Sequence, residues 1–248
     1  MLGSLGAGGM GQVFEARDRE LDRKVAVKVL HQHGPATEKA QARLLREAQA
    51  LAKISHPNVV SVYDVGRDEL GEVYIAMEFV RGGTLAAWLQ DTTPAWTEVL
   101  RLFIDLAEGL QAMHDLGIVH RDFKPGNVLI DGRDRPVLID FGLARPEGET
   151  SPVGSLSPDS LLNNRLTRTG ALVGTPSYMS PEQFKGKAVD GASDQFAFCI
   201  SLYEALYGSA PFDGDNIPTR AASVLGGRST SPSLETFRGS CWKSCVEG

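Results

Sequence analysis

Strand patterns and helix patterns are segregated along this chain of 248 residues. The first part carries strand-like apolar runs around a single helical stretch. This strand-rich part ends at Gly82 and Gly83. The strand-like runs are residues 13–16, 24–30, 59–65 and 73–80. The helical stretches are residues 37–54, 97–114 and 193–207, with Thr37 and Ser193 as expected caps. The chain thus divides into a strand-rich segment followed by a helical one.

The composition is that of an ordinary globular protein. Apolar residues make up 42% and charged residues 23% of the chain, which is enough for a sizeable core. The formal net charge of -6 gives no broad basic face, so no nucleic-acid partner is expected. No run approaches the roughly 18 apolar residues of a membrane span, and the first residues lack the features of a secretory signal. We therefore expect no membrane segment in this chain and a cytoplasmic location.

The three cysteines, Cys199, Cys241 and Cys245, do not make a disulfide framework. Cys241 and Cys245 lie close together near the end of the sequence. A zinc site there would need about four ligands, and no further cysteine or histidine lies nearby. A reducing compartment is the simpler interpretation.

A glycine cluster at residues 6–11 is the first motif with chemical meaning. Glycines let the backbone approach phosphate oxygens, so that N–H groups donate to the negative charge. A dinucleotide-binding turn would open a helix, whereas here a strand pattern follows at residues 13–16. A P-loop would need Gly-Lys-Ser or Gly-Lys-Thr after the glycines, and neither is present. A phosphate-binding loop and a hairpin turn without a ligand stay open.

Lys28 lies on the mostly apolar strand pattern at residues 24–30. One interpretation is a solvent-exposed lysine on an edge strand. In the other, its ammonium group grips the α- and β-phosphates of ATP while a carboxylate holds it in place. Glu47 in the following helix is the expected partner. Glu38 suits this role less well because it lies near the helix start, outside the central turns of the apolar stripe.

The densest chemical signal is residues 120–127, which read His-Arg-Asp-Phe-Lys-Pro-Gly-Asn. A carboxylate at Asp122 can orient a hydroxyl group and accept its proton. Lys124 can neutralise charge on a transferring phosphoryl group, and Asn127 offers a neutral oxygen ligand for Mg²⁺. A charged surface turn would rarely combine so many residues of these types.

Asp140 follows the short strand pattern at residues 137–139 and precedes Phe141 and Gly142. A carboxylate at a strand end, followed by a flexible glycine, suits a hard cation that bridges phosphate oxygens. An isolated Asp-Phe-Gly would usually be a turn, but here it follows the other motifs in a fixed order. The set predicts ATP- and magnesium-dependent phosphoryl transfer.

This ordered set resembles the protein-kinase signature, and it is most similar to that of the bacterial serine/threonine protein kinases. The resemblance extends from about Leu5 to about Phe212. It implies an α+β, two-lobed protein-kinase-like fold, with a small β-rich N-lobe that has one main helix and a mostly helical C-lobe. It also implies transfer of the γ-phosphate of ATP, with Mg²⁺ or Mn²⁺, to serine or threonine of protein substrates. A dimer that autophosphorylates in trans is compatible with it.

The resemblance assigns roles to individual positions. The implied catalytic residues are Asp122, Lys124, Lys28 and Glu47, and the implied metal ligands are Asn127 and Asp140. The residues implied around ATP are Leu5, Gly6, Gly8, Gly9, Gly11, Val13, Ala26, Lys28, Met77, Glu78, Val80 and Leu129. A regulatory column between the lobes is implied at Leu51, Val62, His120 and Phe141. Asp194 is expected to hold the backbone of the catalytic loop, which is residues 120–127.

Residues 140–182 resemble an activation segment, much of it rich in Ser, Pro, Gly and Asn. Thr175 is expected to contact the catalytic loop where the substrate residue binds. Arg121 stands beside Asp122 and can pair with a phosphorylated residue, for which Thr167 and Thr169 are the candidates. A plain polar loop is the other interpretation.

The expected kinase domain covers residues 1–226, with the N-lobe at about 1–80 and the C-lobe at about 81–226. Residues 227–248 form a divergent tail, without the final C-lobe helices or the arginine that usually pairs with Glu182. The first strand is expected to be short or partly missing, because only about five residues precede the glycine cluster.

Three hypotheses for the function follow. They are an active kinase, a kinase-like nucleotide-binding or scaffold module inactivated by truncation, and a small-molecule phosphotransferase, which the segment at Thr175 disfavours.

Overall fold

The computed structural model describes residues 2–8, 11–30, 38–69, 71–141, 176–214, 216–227 and 229–230. Within these residues the chain forms a strand-rich lobe followed by a mainly helical lobe. The two-lobed α+β fold predicted from the sequence is therefore confirmed.

A five-stranded sheet forms the N-lobe, in the order β1-β2-β3-β5-β4, and every neighbouring pair is antiparallel. Its strands are β1 (Gly3–Gly8), β2 (Gly11–Asp18), β3 (Arg23–Leu30), β4 (Val62–Arg67) and β5 (Val73–Glu78). Along β5, Val73, Ile75 and Met77 are buried and alternate with more exposed residues. This period of two is that of a strand with one face on a core.

The first strand is not missing, since β1 has six residues and pairs with β2 from Gly3 to Gly8. Residues 9 and 10, between these two strands in the sequence, lie outside the described residues. At Gly11 the backbone has φ 149°, and a Cβ there would lie 2.2 Å from the carbonyl oxygen of Val29. Only glycine therefore allows β2 to approach β3 this closely at residue 11.

Helix α1 (Glu38–Leu51) packs against β4 and β5 of the N-lobe sheet. Ala48 and Leu51 are fully buried on this side of the helix. The helix ends three residues before the predicted boundary, and the N–H groups of Lys53 and Ile54 continue into a turn by donating to the carbonyls of Ala50 and Leu51.

The C-lobe combines helices with a small antiparallel sheet. Its helices are α2 (Leu85–Asp91), α3 (Trp96–His114), α4 (Pro181–Phe184), α5 (Gly191–Tyr207) and α6 (Ile217–Leu225). Its strands are β6 (Gly82–Thr84), β7 (Val128–Asp131) and β8 (Pro136–Leu138), in that order across the sheet. Helices α3 and α5 pack through the rings of Phe103 and Phe198, whose centroids are 5.3 Å apart in an edge-to-face arrangement.

The predicted cap of the helix at residues 193–207 was wrong. Helix α5 begins at Gly191, and the carboxylate of Asp190 accepts the N–H of Ala192 at 3.0 Å. Ser193 lies inside the first turn, where it is buried and its hydroxyl donates to the carboxylate of Glu182. The sequence interpretation also missed β6, α2 and α6, which are short.

A loop of the N-lobe is joined to β8 of the C-lobe by hydrogen bonds. The side-chain amide of Asn58 donates to the carbonyl of Pro136 at 2.8 Å, and the N–H of Leu138 donates to the carbonyl of Asn58 at 2.8 Å. The N–H of Val60 donates to the carbonyl of Leu138 at 3.0 Å. The loop that follows α1 is thereby tied to the C-lobe. In the part of the chain that the structure covers, none of the helices has the length and apolarity needed to span a bilayer.

Candidate active site

The loop between α3 and β7 holds a carboxylate in a fixed orientation. Lys124 Nζ lies 2.8 Å from Asp122 Oδ2, and Asn127 Nδ2 donates to the same oxygen at 2.9 Å. Asn127 Nδ2 also donates to the backbone carbonyl of Asp122 at 2.8 Å. Two donors on one oxygen restrict rotation of the carboxyl group. The amide nitrogen of Asn127 faces Asp122, so its Oδ1 is the atom suited to a hard cation.

A buried carboxylate on α5 accepts hydrogen bonds from the backbone of this loop. Asp194, which is 1% exposed, accepts the N–H of His120 and the N–H of Arg121, each at 2.7 Å. It also contacts His114 Nε2 at 2.8 Å. Arg121 has φ 66°, a left-handed conformation that costs a non-glycine residue on the order of 1 kcal/mol. The hydrogen bonds to Asp194 stabilise that conformation, and the predicted contact between Asp194 and the loop backbone is confirmed.

His120 lies in the interior between the loop and Phe141. The side chain is fully buried, and its ring centroid is 5.5 Å from that of Phe141 and 6.1 Å from that of Phe123. Its Nε2 lies 3.1 Å from the carbonyl oxygen of Ile139. Burial lowers the pKa of His120, against the opposing effect of nearby carboxylates, of which Asp194 acts most strongly. A neutral imidazole that donates to the Ile139 carbonyl fits both observations.

Lys28 meets Asp140 between the lobes. Lys28 Nζ lies 2.7 Å from Asp140 Oδ1, and the lysine side chain is 6% exposed whereas that of Asp140 is 40% exposed. Strand β3 lies between β2 and β5, so the alternative of a solvent-exposed edge lysine is wrong. A buried ammonium group needs a counter-charge, which Asp140 provides here. Glu47 is half-buried on α1, and its predicted pairing with Lys28 stays a prediction.

One small cavity brings several of the predicted residues together. It is lined by Lys28, Leu51, Val62, Ile75, Met77, Asp140 and Phe141. Three members of the predicted regulatory column lie here, and the fourth, His120, packs on Phe141. Residues from β3, α1, β4, β5 and the Asp140 segment therefore converge behind the site.

The residues predicted around ATP lie mostly on neighbouring strands. Ala26 and Met77 are paired across β3 and β5, and Val13 is paired with Lys28 across β2 and β3. Leu5, Gly6 and Gly8 belong to β1, Gly11 to β2, and Leu129 to β7. Glu78 ends β5 and Val80 follows it. Gly9 lies outside the described residues. These positions stay predictions of nucleotide contacts.

Thr167, Thr169 and Thr175 also lie outside the described residues. The chain after them is anchored at two points. Gln183 Nε2 donates to the carbonyl of Arg121 at 3.0 Å, and Tyr178 Oη donates to Glu204 Oε2 at 2.7 Å. Burial raises the pKa of both Tyr178 and Glu204. This pairing fixes the start of the segment that follows the predicted substrate position.

The sequence contains no counterpart of the arginine that usually pairs with Glu182. In the described part of the chain, a serine hydroxyl contacts Glu182 instead. Glu182 accepts a hydrogen bond from the hydroxyl of Ser193. Burial alone would raise the pKa of Glu182, but hydrogen bonds, with that of Ser193 the strongest, bring it below its ordinary value. Arg220 on α6 is buried and donates to the carbonyl of Phe212.

The oxygen atoms of Asn127 and Asp140 suit a Mg²⁺ ion bound together with a nucleotide better than a metal ion held by protein side chains alone. Within the described ranges no group of three or more acidic, histidine or cysteine side chains is arranged to hold a metal ion. Asn127 and Asp140 supply oxygen atoms, the ligand type that Mg²⁺ prefers, and such ions usually complete their shell with substrate phosphates and water. The assignment of Asn127 and Asp140 as metal ligands stays a prediction.

Comparison with known proteins identifies the class. Residues 1–239 match the sequence profile of the family described as Protein kinase domain. The chain belongs to the protein kinase family.

Several bacterial proteins are among the curated relatives. A probable serine/threonine-protein kinase of Streptomyces coelicolor is 40% identical over 216 residues, which is 86% of this chain and 30% of the relative. The DNA damage-responsive serine/threonine-protein kinase RqkA of Deinococcus radiodurans is 39% identical, over 87% of this chain and 30% of the relative. The serine/threonine-protein kinase PknB of Mycobacterium tuberculosis is 38% identical, over 86% and 33%. The chain thus spans about a third of the length of these relatives.

Proposed function

We propose that this domain transfers the γ-phosphate of ATP to serine or threonine hydroxyls of protein substrates, as a non-specific serine/threonine protein kinase. The observation that carries the proposal is the fixed carboxylate of Asp122, with Lys124 Nζ and Asn127 Nδ2 at 2.8 and 2.9 Å from one of its oxygens. The names of the bacterial relatives support serine and threonine as acceptors.

Each residue has a distinct role in this proposal. Asp122 orients the acceptor hydroxyl and accepts its proton as the oxygen attacks phosphorus. Lys124, beside it, stabilises the negative charge of the transferring phosphoryl group. The side chains are held before substrate binds, so that little reorganisation is needed during transfer.

Mg·ATP would supply the phosphoryl group and the charge neutralisation by the metal ion. Asn127 and Asp140 would hold the metal, and Lys28 would bind the α- and β-phosphates. Asp140 is partly exposed and lies 2.7 Å from Lys28, so the expected metal ligand and the expected phosphate ligand are next to each other. Mn²⁺ has similar ligand preferences and would serve as well.

Three finer features belong to the same proposal. Autophosphorylation would fall on Thr167 or Thr169, where a phosphate could pair with Arg121. Phosphorylation in trans would require a transient dimer. A cytoplasmic location would provide the ATP.

The test is transfer of labelled phosphate from ATP to a generic basic protein, with Asp122→Asn as the matched variant. We expect incorporation by the wild-type chain and a loss of about 100-fold or more in the variant, because the carboxylate is lost and its shape is kept. Nucleotide should raise the melting temperature of both proteins equally. Mass spectrometry of the same samples would locate phosphate on Thr167 or Thr169 in the wild type alone.

The alternative function gives a different outcome. A nucleotide-binding or scaffold module would show the thermal shift but no incorporation by the wild-type chain. Incorporation into a small molecule in place of protein would favour the third hypothesis.

A further inference from the structure

Arg135 in the turn between β7 and β8 joins three separate segments through its three guanidinium nitrogens. Nε donates to Asp131 Oδ2 at 2.9 Å, NH1 donates to the carbonyl of Pro57 at 2.8 Å, and NH2 donates to Glu78 Oε1 at 2.8 Å. The side chain is 33% exposed and that of Glu78 is 24% exposed. We call Arg135, Glu78 and the Pro57 carbonyl the hinge clasp.

The clasp joins the two lobes at the point where the chain passes between them. Glu78 is the last residue of β5 in the N-lobe sheet, and the chain reaches β6 of the C-lobe four residues later. Arg135 belongs to the C-lobe, and Pro57 belongs to the loop whose next residues bond to β8. Because Glu78 is part of the N-lobe sheet and Arg135 is part of the C-lobe, the ion pair between them crosses the boundary between the lobes.

Asp131 holds the arginine ready for this contact. Its Oδ1 accepts the N–H groups of Arg133 at 2.8 Å and Arg135 at 3.0 Å, while its Oδ2 accepts Nε of Arg135. The turn and the guanidinium group are thus fixed by one carboxylate. A planar group with separate donors is needed for three acceptors in different directions, and lysine does not provide it.

We propose that Arg135 is a positioning residue that limits opening of the cleft and thereby slows nucleotide release. The inference rests on the proposed function, because it assumes that ATP and ADP bind between the lobes next to Glu78. A purely structural ion pair would lower stability when removed and leave nucleotide release unchanged. If Arg135 limits opening of the cleft, its removal must also change the rate of nucleotide release.

The test measures release of a fluorescent ADP analogue, mant-ADP with Mg²⁺, after mixing with excess unlabelled ATP. We expect Arg135→Ala and Glu78→Gln each to raise the dissociation rate about threefold to tenfold, within the range of a half-buried ion pair. The double variant should release no faster than the faster single variant, because both changes break one contact. Arg135→Lys should resemble Arg135→Ala.

Arg133→Gln is the matched control. Arg133 is exposed on the same turn, so this variant removes one positive charge and leaves the clasp in place. Its release rate should equal that of the wild type. Thermal unfolding of every variant shows whether a rate change merely follows a loss of stability.

Two results would overturn the inference in different ways. If wild-type protein binds mant-ADP and Arg135→Ala releases it at the wild-type rate, the clasp does not control release and the proposed function is unaffected. If the folded wild-type protein binds no mant-ADP, the proposed function fails and the clasp fails with it. Additive rate changes in Arg135→Ala and Glu78→Gln would also reject the clasp as a single contact.

Discussion

At the scale of single residues, His120 shows how burial sets the charge of a side chain beside the site. Its ring packs on Phe141, and its Nε2 faces the carbonyl of Ile139 at 3.1 Å. Burial lowers the pKa of His120 in the folded chain, whereas an unfolded histidine titrates near 6.5. Below that pH the unfolded chain binds a proton that the folded chain does not bind at His120. Acid therefore favours unfolding through this residue.

We expect the free energy of unfolding to fall by about 1 kcal/mol more in the wild type than in His120→Phe between pH 7.5 and pH 5.5. Phenylalanine keeps the ring contacts but does not titrate. Urea unfolding at the two pH values measures the difference. Equal pH dependence in the wild type and His120→Phe would contradict the expectation.

At the scale of elements, the start of α5 decides where Asp194 lies relative to the loop at residues 120–127. The helix begins at Gly191 because Asp190 accepts the N–H of Ala192, which satisfies one of the free donors at a helix start. Ser193 has the residue type of a cap, but its hydroxyl contacts Glu182 instead. Whether Asp190 or Ser193 caps the helix therefore depends on where the fold places Glu182.

Asp190→Ala should lower the free energy of unfolding by about 1 kcal/mol, the usual cost of losing a helix cap. Chemical denaturation followed by circular dichroism measures this change. Glu108→Ala removes a charge from an exposed position of α3 and serves as the control, with an expected change within about 0.5 kcal/mol. A similar loss of stability in both variants would argue against a specific capping role.

At the scale of the whole molecule, the two lobes share one apolar core. The core includes Ala26, Leu30 and Ile75 of the N-lobe sheet together with Leu106, Val137 and Phe141 of the C-lobe. The bonds of Asn58 and Val60 to β8 cross the same boundary. Neither lobe can lose its structure without exposing apolar surface of the other.

Unfolding in urea should therefore be a single transition for the whole domain. Tryptophan fluorescence, after Trp242→Phe, reports Trp88 on α2 and Trp96 on α3, which both belong to the C-lobe. Far-ultraviolet circular dichroism reports secondary structure of both lobes. Coincident midpoints are expected, and two separated transitions would show that the lobes unfold independently.

Much of the fold followed from local patterns. Strands β2, β3 and β5 and helix α3 were predicted within a few residues, because their apolar periodicity extends over enough residues to identify each element. The six-residue β1 and the short β6 and α2 were missed or underestimated. Such short elements form because neighbouring strands and helices supply their hydrogen bonds and burial, and a sequence window does not contain those neighbours.

The sequence by itself determined the chemistry of the loop at residues 120–127, because Asp122, Lys124 and Asn127 are close enough along the chain to contact one another locally. Only the tertiary structure decided which distant groups complete the site. Lys28 meets Asp140 across 112 residues, Asp194 reaches His120 across 74, and Arg135 reaches Glu78 across 57. The physical reason is that a charged side chain finds its partner among the groups that packing brings near it. Packing of the two lobes depends on the apolar core as a whole, and no single motif encodes it.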